Sequence, residues 1–264
     1  VSRKDAQETL QNLLDGLNVQ ERYALLKLIT GGLRVGVSAR LAKSALAEFG
    51  NVSVEEIEEV WHGLEAPYIS LFDWLEGKAE KPSLENVPYF RPLMLANPLD
   101  EDDLKKLDPC DFIAEWKWDG IRVQIVGRGT PETSRLYSRA GEDISSSFPD
   151  IISQINFEAV LDGELLVMRD GEVQSFNDLQ QRLNRKNVTK NMMKSSPAFI
   201  WLYDILEWEG RDLRQSPTVD RRENLEDFYV RLTKEYAHKD NVRFDISPKI
   251  DFSKWDDLNV KRET

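Results

Sequence analysis

Cysteine and histidine are nearly missing from this chain of 264 residues: Cys110 is the only cysteine, and His62 and His238 the only histidines. One cysteine excludes a disulfide framework within the chain and fits a reducing compartment. Two histidines and a cysteine leave almost no material for a zinc site or a Ser-His-Asp triad, so a metal here is expected to be a hard cation held by carboxylates and phosphate. No apolar run has the length of a membrane span and no signal peptide opens the chain, so no membrane association is expected. Positive charge is also short, with a formal net charge of -12. That argues against a generic polyanion binder, but the charge is unevenly spread: residues 1–43 hold seven Lys/Arg against four Asp/Glu, and residues 44–93 hold three against ten. A local basic face suffices for phosphate contacts, so nucleic acid is not excluded. Val1 in place of methionine, and an end at Lys261-Arg262-Glu263-Thr264 without a closing element, read as a fragment.

What is present is 41% hydrophobic residues in two contrasting patterns. Residues 1–75 read as helical. Leu10, Leu13, Leu14 and Leu17 follow the i, i+3, i+4, i+7 spacing of one buried face, and Leu25, Leu26, Leu28 and Ile29 form a second such run ended by Gly31-Gly32. Ser38 is expected to cap a third helix. Ser53, with Glu56 three residues on, reads as the capping box of a fourth, whose core face is Ile57, Val60, Trp61 and Leu64. Pro82, Pro88, Pro92 and Pro98 mark residues 76–98 as a linker. Beyond it the period becomes two. Residues 112–117 and 121–126 read as a hairpin about Asp119-Gly120, with further strands over 158–168, 198–206 and 242–246 and helices over 175–183 and 220–236. The expected fold class is therefore multi-domain: an all-α domain over 1–87, linker included, followed over 88–264 by an α+β domain with a mostly antiparallel sheet.

The most informative stretch is Glu115-Trp116-Lys117-Trp118-Asp119-Gly120-Ile121-Arg122. A lysine enclosed by two tryptophans is expected to be desolvated and to give up its proton, leaving a nucleophilic amine. Arg122 on the returning strand would flank the same pocket, and two converging cations suggest a polyphosphate. On a strand Glu115 would share the face of Lys117, either to read a ligand or to pair with the lysine itself.

These residues resemble the first motif of the lysine-dependent nucleotidyltransferases: ATP-dependent DNA ligases, RNA ligases and mRNA capping enzymes. Ser138-Arg139 followed by Gly141, Asp162-Gly163-Glu164, Leu202-Tyr203-Asp204-Ile205-Leu206 and Arg221-Arg222-Glu223-Asn224-Leu225 resemble the motifs that follow, in order. Taken singly, Asp162-Gly163-Glu164 reads more readily as a plain turn, Tyr203 as core and Arg139 as a solvated charge. Gly31-Gly32-Leu33-Arg34-Val35-Gly36-Val37 resembles a glycine-rich segment in the helical DNA-binding domain of larger ligases; by itself it also reads as a helix-turn-helix corner.

The resemblance implies an ATP-dependent DNA ligase of the bacterial type with a helical N-terminal domain. Its nucleophile would be Lys117, forming lysyl-AMP. Glu115 would meet the adenine amino group, Arg122 phosphate or ribose, Glu164 ribose or metal, and Tyr203 the base. Arg34 and Arg139 would contact DNA. ATP and Mg²⁺ are the implied cofactors, and Arg122, where NAD-dependent ligases usually carry a small residue, favours the triphosphate. Nicked double-stranded DNA is the implied partner, a monomer the implied state and the cytoplasm, at the nucleoid, the implied location. An RNA ligase or GTP-using capping enzyme, or a DNA-binding fragment without catalysis, are the alternatives. Later family motifs and the OB-fold domain would follow Thr264, so the 264 residues alone are expected to bind nucleotide poorly and not to seal nicks.

Overall fold

A computed structural model of the chain describes all residues except 1, 2, 31, 33–35, 85, 86, 184, 186, 236–241 and 264. It divides into two compact units, Val1–Ile57 and Glu58–Thr264. Among the described residues every element before residue 76 is a helix.

The first unit holds α1 (Arg3–Asp15), α2 (Val19–Ile29), α3 (Ala39–Gly50) and the start of α4 (Val54–Trp61). Their starts follow local chemistry. Asn18 and Glu21 form a capping box at α2, the Ser38 hydroxyl accepts from the Leu41 N–H at 3.2 Å, and Ser53 and Glu56 exchange bonds of 3.1 and 3.0 Å. The apolar stripes are less well used than their spacing suggests. Leu13, Leu26, Leu28 and Ile29 are exposed, while Ala47 is the residue buried on α3. Periodicity marks the face that can be buried, but burial needs an element opposite, and α2 has no buried residue. The segment around Arg34 falls largely outside the described residues.

The second unit begins with the end of α4, where Val60 is buried, and with α5 (Ile69–Leu75), and among the described residues no helix or strand lies between α5 and α6 (Glu101–Leu104). It continues through β1 (Ala114–Glu115), β2 (Ile121–Arg128), β3 (Arg135–Ser138), α7 (Pro149–Ile152), β4 (Glu158–Arg169), β5 (Glu172–Val173), α8 (Phe176–Gln180), α9 (Lys190–Ser195), β6 (Ala198–Trp208), β7 (Arg211–Asp212), α10 (Thr218–Glu235), β8 (Phe244–Ile246), β9 (Lys249–Ile250) and α11 (Trp255–Glu263). The main sheet runs β3-β2-β4-β6-β7, with β5 on β4 and β8 on β6; β6–β8 is its parallel pair and the rest is antiparallel.

Period two sorts the sheet's side chains. Val123, Ile125, Leu161, Leu165, Ile200 and Leu202 point to a large core shared with Leu225, Phe228 and Leu232 of α10. On the other face Val126, Val160 and Leu206 pack with Phe90, Tyr137, Leu93 and Met94. This second face also carries the polar side chains of interest.

The expected hairpin between residues 112–117 and 121–126 does not form. Only Ala114–Glu115 is a strand there, and its partner is β9, with Ala114 opposite Ile250 and Glu115 opposite Lys249. The reason is occupancy: both edges of β2 are taken, by β3 and by β4, leaving β1 no ladder to join. Gly120 serves close approach rather than a tight hairpin turn, since a Cβ there would lie 2.4 Å from the Leu165 carbonyl oxygen.

Candidate active site

On β2 and β4, Arg122 stands opposite Glu164 and Gln124 opposite Asp162. Directly opposed residues share a face, so these four side chains converge. Asp162 is fully buried. One of its oxygens accepts from Arg122 Nη2 at 2.6 Å and the other from Gln124 Nε2 at 3.1 Å. Arg122 also donates to the Met94 carbonyl at 2.9 Å, and Gln124 is anchored by accepting from the Arg91 N–H at 2.6 Å. Burial raises the Asp162 carboxyl above its ordinary value, and the Arg122 charge and the two hydrogen bonds offset that only in part. Burial lowers the Arg122 guanidinium, but Asp162 more than compensates and leaves it raised.

Asp162-Gly163-Glu164 is no turn: it lies in the middle of β4. A Cβ at Gly163 would sit 2.5 Å from Ile200 Cγ2 and 2.7 Å from the Trp201 carbonyl, so glycine lets β4 and β6 approach there. Burial pushes the Glu164 carboxyl up, against the pull of the Gly120 backbone N–H and of the positive charges of Lys117 and Arg122.

Tyr203 owes its position to a register slip. Asp162 pairs with Asp204 and Gly163 with Leu202, leaving Tyr203 as the extra residue of a β-bulge. Its ring centroid lies 5.7 Å from the Arg122 guanidinium carbon, and burial raises its phenol.

Glu115 pairs with Arg222 of α10 at 2.5 Å rather than with Lys117. Arg222 also donates to the Ser247 carbonyl at 2.7 Å. Burial raises the Glu115 carboxyl against the pull of Arg222 and of the nearby Ser247 hydroxyl.

Lys117 lies past the end of β1 and is exposed, as is Trp116. The expected lysine desolvated between two tryptophans is therefore not what the fold builds. The second tryptophan turns inward: Trp118 stacks on Trp201 with centroids 5.3 Å apart and donates from Nε1 to Ser247 Oγ at 3.1 Å. Those contacts hold the loop from behind and leave Lys117 outward. A cavity of about 440 Å³ lies alongside, lined by Glu115, Trp116, Lys117, Leu258, Lys261 and Arg262 among others.

The fold thus brings Glu115, Lys117, Arg122, Glu164 and Tyr203 to one neighbourhood. Arg139 is exposed on a turn after β3, closed by a 2.9 Å bond from the Gly141 N–H to the Ser138 carbonyl. Arg34 lies outside the described residues. Sequence reasoning missed Asp162 and Gln124 as the partners that fix Arg122, and Arg222 as the partner of Glu115. Alternation along β2 was the available signal for Gln124. No sequence signal linked residues 115 and 222. Among the described residues no cluster of three or more His, Cys, Asp or Glu side chains could hold a metal, and none of the helices is long and apolar enough to cross a membrane.

The family model for the ATP dependent DNA ligase domain matches residues 93–261. The chain belongs to that family. As a ligase-domain chain it is 31% identical over 215 residues to "DNA ligase 1" of Korarchaeum cryptofilum, covering 78% of this chain and 38% of that protein. It is 30% identical to the "Probable DNA ligase" of Koribacter versatilis, covering 82% of this chain and 38% of the relative. Among solved structures, the ligase domain from M. tuberculosis LigD aligns at 21% identity with a TM-score of 0.45, over 61% of this chain and 48% of that one. The ligase-domain chain therefore spans about two fifths of the length of its curated relatives.

Proposed function

We propose that this ligase-domain chain carries the nucleotide-activating centre of an ATP-dependent DNA ligase, with Lys117 as nucleophile. One observation supports this most: the loop that bears Lys117 runs into β2 through Gly120, where a Cβ would lie 3.0 Å from Glu164 Cγ, and Arg122 and Glu164 stand opposite each other just beyond it. An exposed lysine beside a partly buried carboxylate and a guanidinium is arranged to receive a phosphate.

The unprotonated Lys117 amine attacks the α-phosphorus of ATP; a P–N bond forms, the bond to the bridging oxygen breaks and pyrophosphate leaves. AMP then passes to a 5′-phosphate at a nick in duplex DNA, and the 3′-hydroxyl displaces it. Arg122 contacts phosphate or ribose, Tyr203 the base and Glu115 the adenine amino group. The residues fit Mg²⁺ in the manner usual for that ion, one carboxylate completed by substrate phosphates and water rather than a protein cage. Glu164 is the side chain that would hold it, and the ion supplies charge neutralisation at the phosphoryl oxygens. Residues 1–87 serve as a helical DNA-binding domain with Arg34 at a backbone phosphate, and residues 88–264 as the adenylation domain with Arg139 at the DNA. The protein acts as a monomer in the cytoplasm, at the nucleoid.

The test is incubation with α-labelled ATP and Mg²⁺, using the chain alone and continued with the C-terminal part of a curated relative. A covalent adduct that disappears in Lys117→Ala is expected. Labelling by GTP instead would identify a capping enzyme. No adduct in either form, or an undiminished adduct in Lys117→Ala, overturns the proposal.

A further inference from the structure

Residues 179–203 contain five Lys/Arg (Arg182, Arg185, Lys186, Lys190 and Lys194) and no Asp or Glu, in a chain whose net charge is -12. One of the five is structural. Arg182 is fully buried, grips both oxygens of Asp150 at 2.5 and 2.8 Å, and donates to the Ser147 and Ser196 carbonyls. Ser147 Oγ in turn donates to the Arg185 carbonyl at 3.2 Å. These bonds lash the basic segment to residues 147–150, shortly after the turn that carries Arg139.

Two of the others open onto a cleft. Lys190 and Lys194, one helical turn apart on α9, line a cavity of about 760 Å³ together with Arg169 and Arg243. Like charges at i, i+4 repel, and among the described residues the side chains of Lys190, Lys194 and Arg243 have no acidic partner. Two acids line the cavity as well, but Asp150 is committed to Arg182, so the three unpaired cations face one uncommitted carboxylate, Asp170. Arg169 is paired with Asp178 at 2.7 Å. Among the described residues no aromatic ring lines the cavity, so they offer no platform for a base. Cations without stacking rings recognise a sugar-phosphate backbone and not a nucleobase.

We infer that the cleft of Arg169, Lys190, Lys194 and Arg243 is a docking surface for the phosphate backbone of duplex DNA, separate from the Lys117 pocket. It rests on the ligase reading for the identity of its polyanion. The salt dependence of binding carries the test. The chain is titrated onto a fluorescent nicked duplex between 50 and 200 mM salt, unmodified and as Lys190→Glu/Lys194→Glu/Arg243→Glu. Lys78→Glu/Lys105→Glu/Lys106→Glu serves as a control of equal charge change.

Every DNA phosphate that a variant no longer neutralises should flatten the log K against log salt slope by about 0.9, so the cleft variant should lose about 2.7 and the control much less. Alanine at the three cleft positions should show the same loss, and a thermal melt checks that each variant folds. A cleft variant that binds like the control, a chain that does not bind duplex even at 50 mM salt, or a defect seen on heparin but not on duplex overturns the inference. ATP adduct formation at Lys117, measured separately, should be unchanged by the cleft substitutions. Failure of the ligase reading would appear there and failure of the docking surface in the salt slope.

Discussion

β2 carries two arginines on one face of the sheet, six residues apart, and each meets acidic groups in a different balance. At one end Arg128 donates to Glu207 at 2.7 Å, and Arg91 donates to the same carboxylate. Burial alone would raise Glu207, but two guanidiniums around one carboxylate overcome it and hold the group below its ordinary value. At the other end Arg122 meets Asp162, with Glu164 opposite it and Glu115 nearby on Arg222. There burial wins, and all three carboxyls are raised. The first cluster is over-supplied with positive charge and knits Phe90-Arg91 to the sheet. The second is under-supplied and borders an exposed lysine. Unmet charge of this kind is common where a protein expects a ligand, because a bound cation can supply what the fold withholds.

Four experiments would break or sharpen that contrast. Lys117→Ala should abolish the ATP adduct while changing the unfolding free energy by less than about 0.5 kcal/mol, since the side chain is exposed. Lys117→Arg should fail equally, because a guanidinium does not surrender its proton. Glu207→Ala should cost about 3–5 kcal/mol in a urea titration by removing the carboxylate that buried Arg91 and half-buried Arg128 share, and a cost below about 1 kcal/mol would dissolve the distinction between the clusters.

The pH dependence should separate the clusters by sign. Glu207, lowered in the fold, contributes stability that is present above its ordinary value of 4.5 and lost as pH falls through the folded value. Glu164, raised in the fold, contributes stability that is present below 4.5 and lost as pH rises through the folded value. Unfolding curves from pH 3 to 8 should therefore lose acid-side slope in Glu207→Gln and gain neutral-pH stability in Glu164→Gln. The same sign in both variants would contradict the assignment. The smallest effect is expected at Tyr203. Leucine there should raise KM for ATP by roughly tenfold, in line with about 1–3 kcal/mol for a stacked base, whereas phenylalanine should stay near the parent.

Much of the local structure was legible because its causes are local. The Ser53–Glu56 box needs only residues three apart, β6 announces itself by alternation, and β4 by the apolar runs Ala159-Val160-Leu161 and Leu165-Leu166-Val167-Met168. Some short elements were not legible. The expected strand over 112–117 shrinks to two-residue β1, its two-residue partner β9 has no period to read, and six-residue α9 follows a stretch of polar residues without a stripe. The tryptophans flanking Lys117 misled for a related reason. Composition says they are apolar, but only the stack on Trp201 decides which one turns in.

By itself the sequence determined which groups exist and in what order: a lysine two residues before Asp-Gly, an arginine after it, a glutamate after a second Asp-Gly and a tyrosine before an aspartate. It also determined the helix caps and the long strands, since these depend on neighbours within one turn or one pleat. Only the tertiary structure decided that Arg122 faces Glu164, that Glu115 is held by Arg222, that a bulge carries Tyr203 and that Lys117 is exposed. Each of these is a choice among partners far apart in the chain. Strand edges, burial and charge must all be satisfied at once to make it, and no local pattern records the outcome.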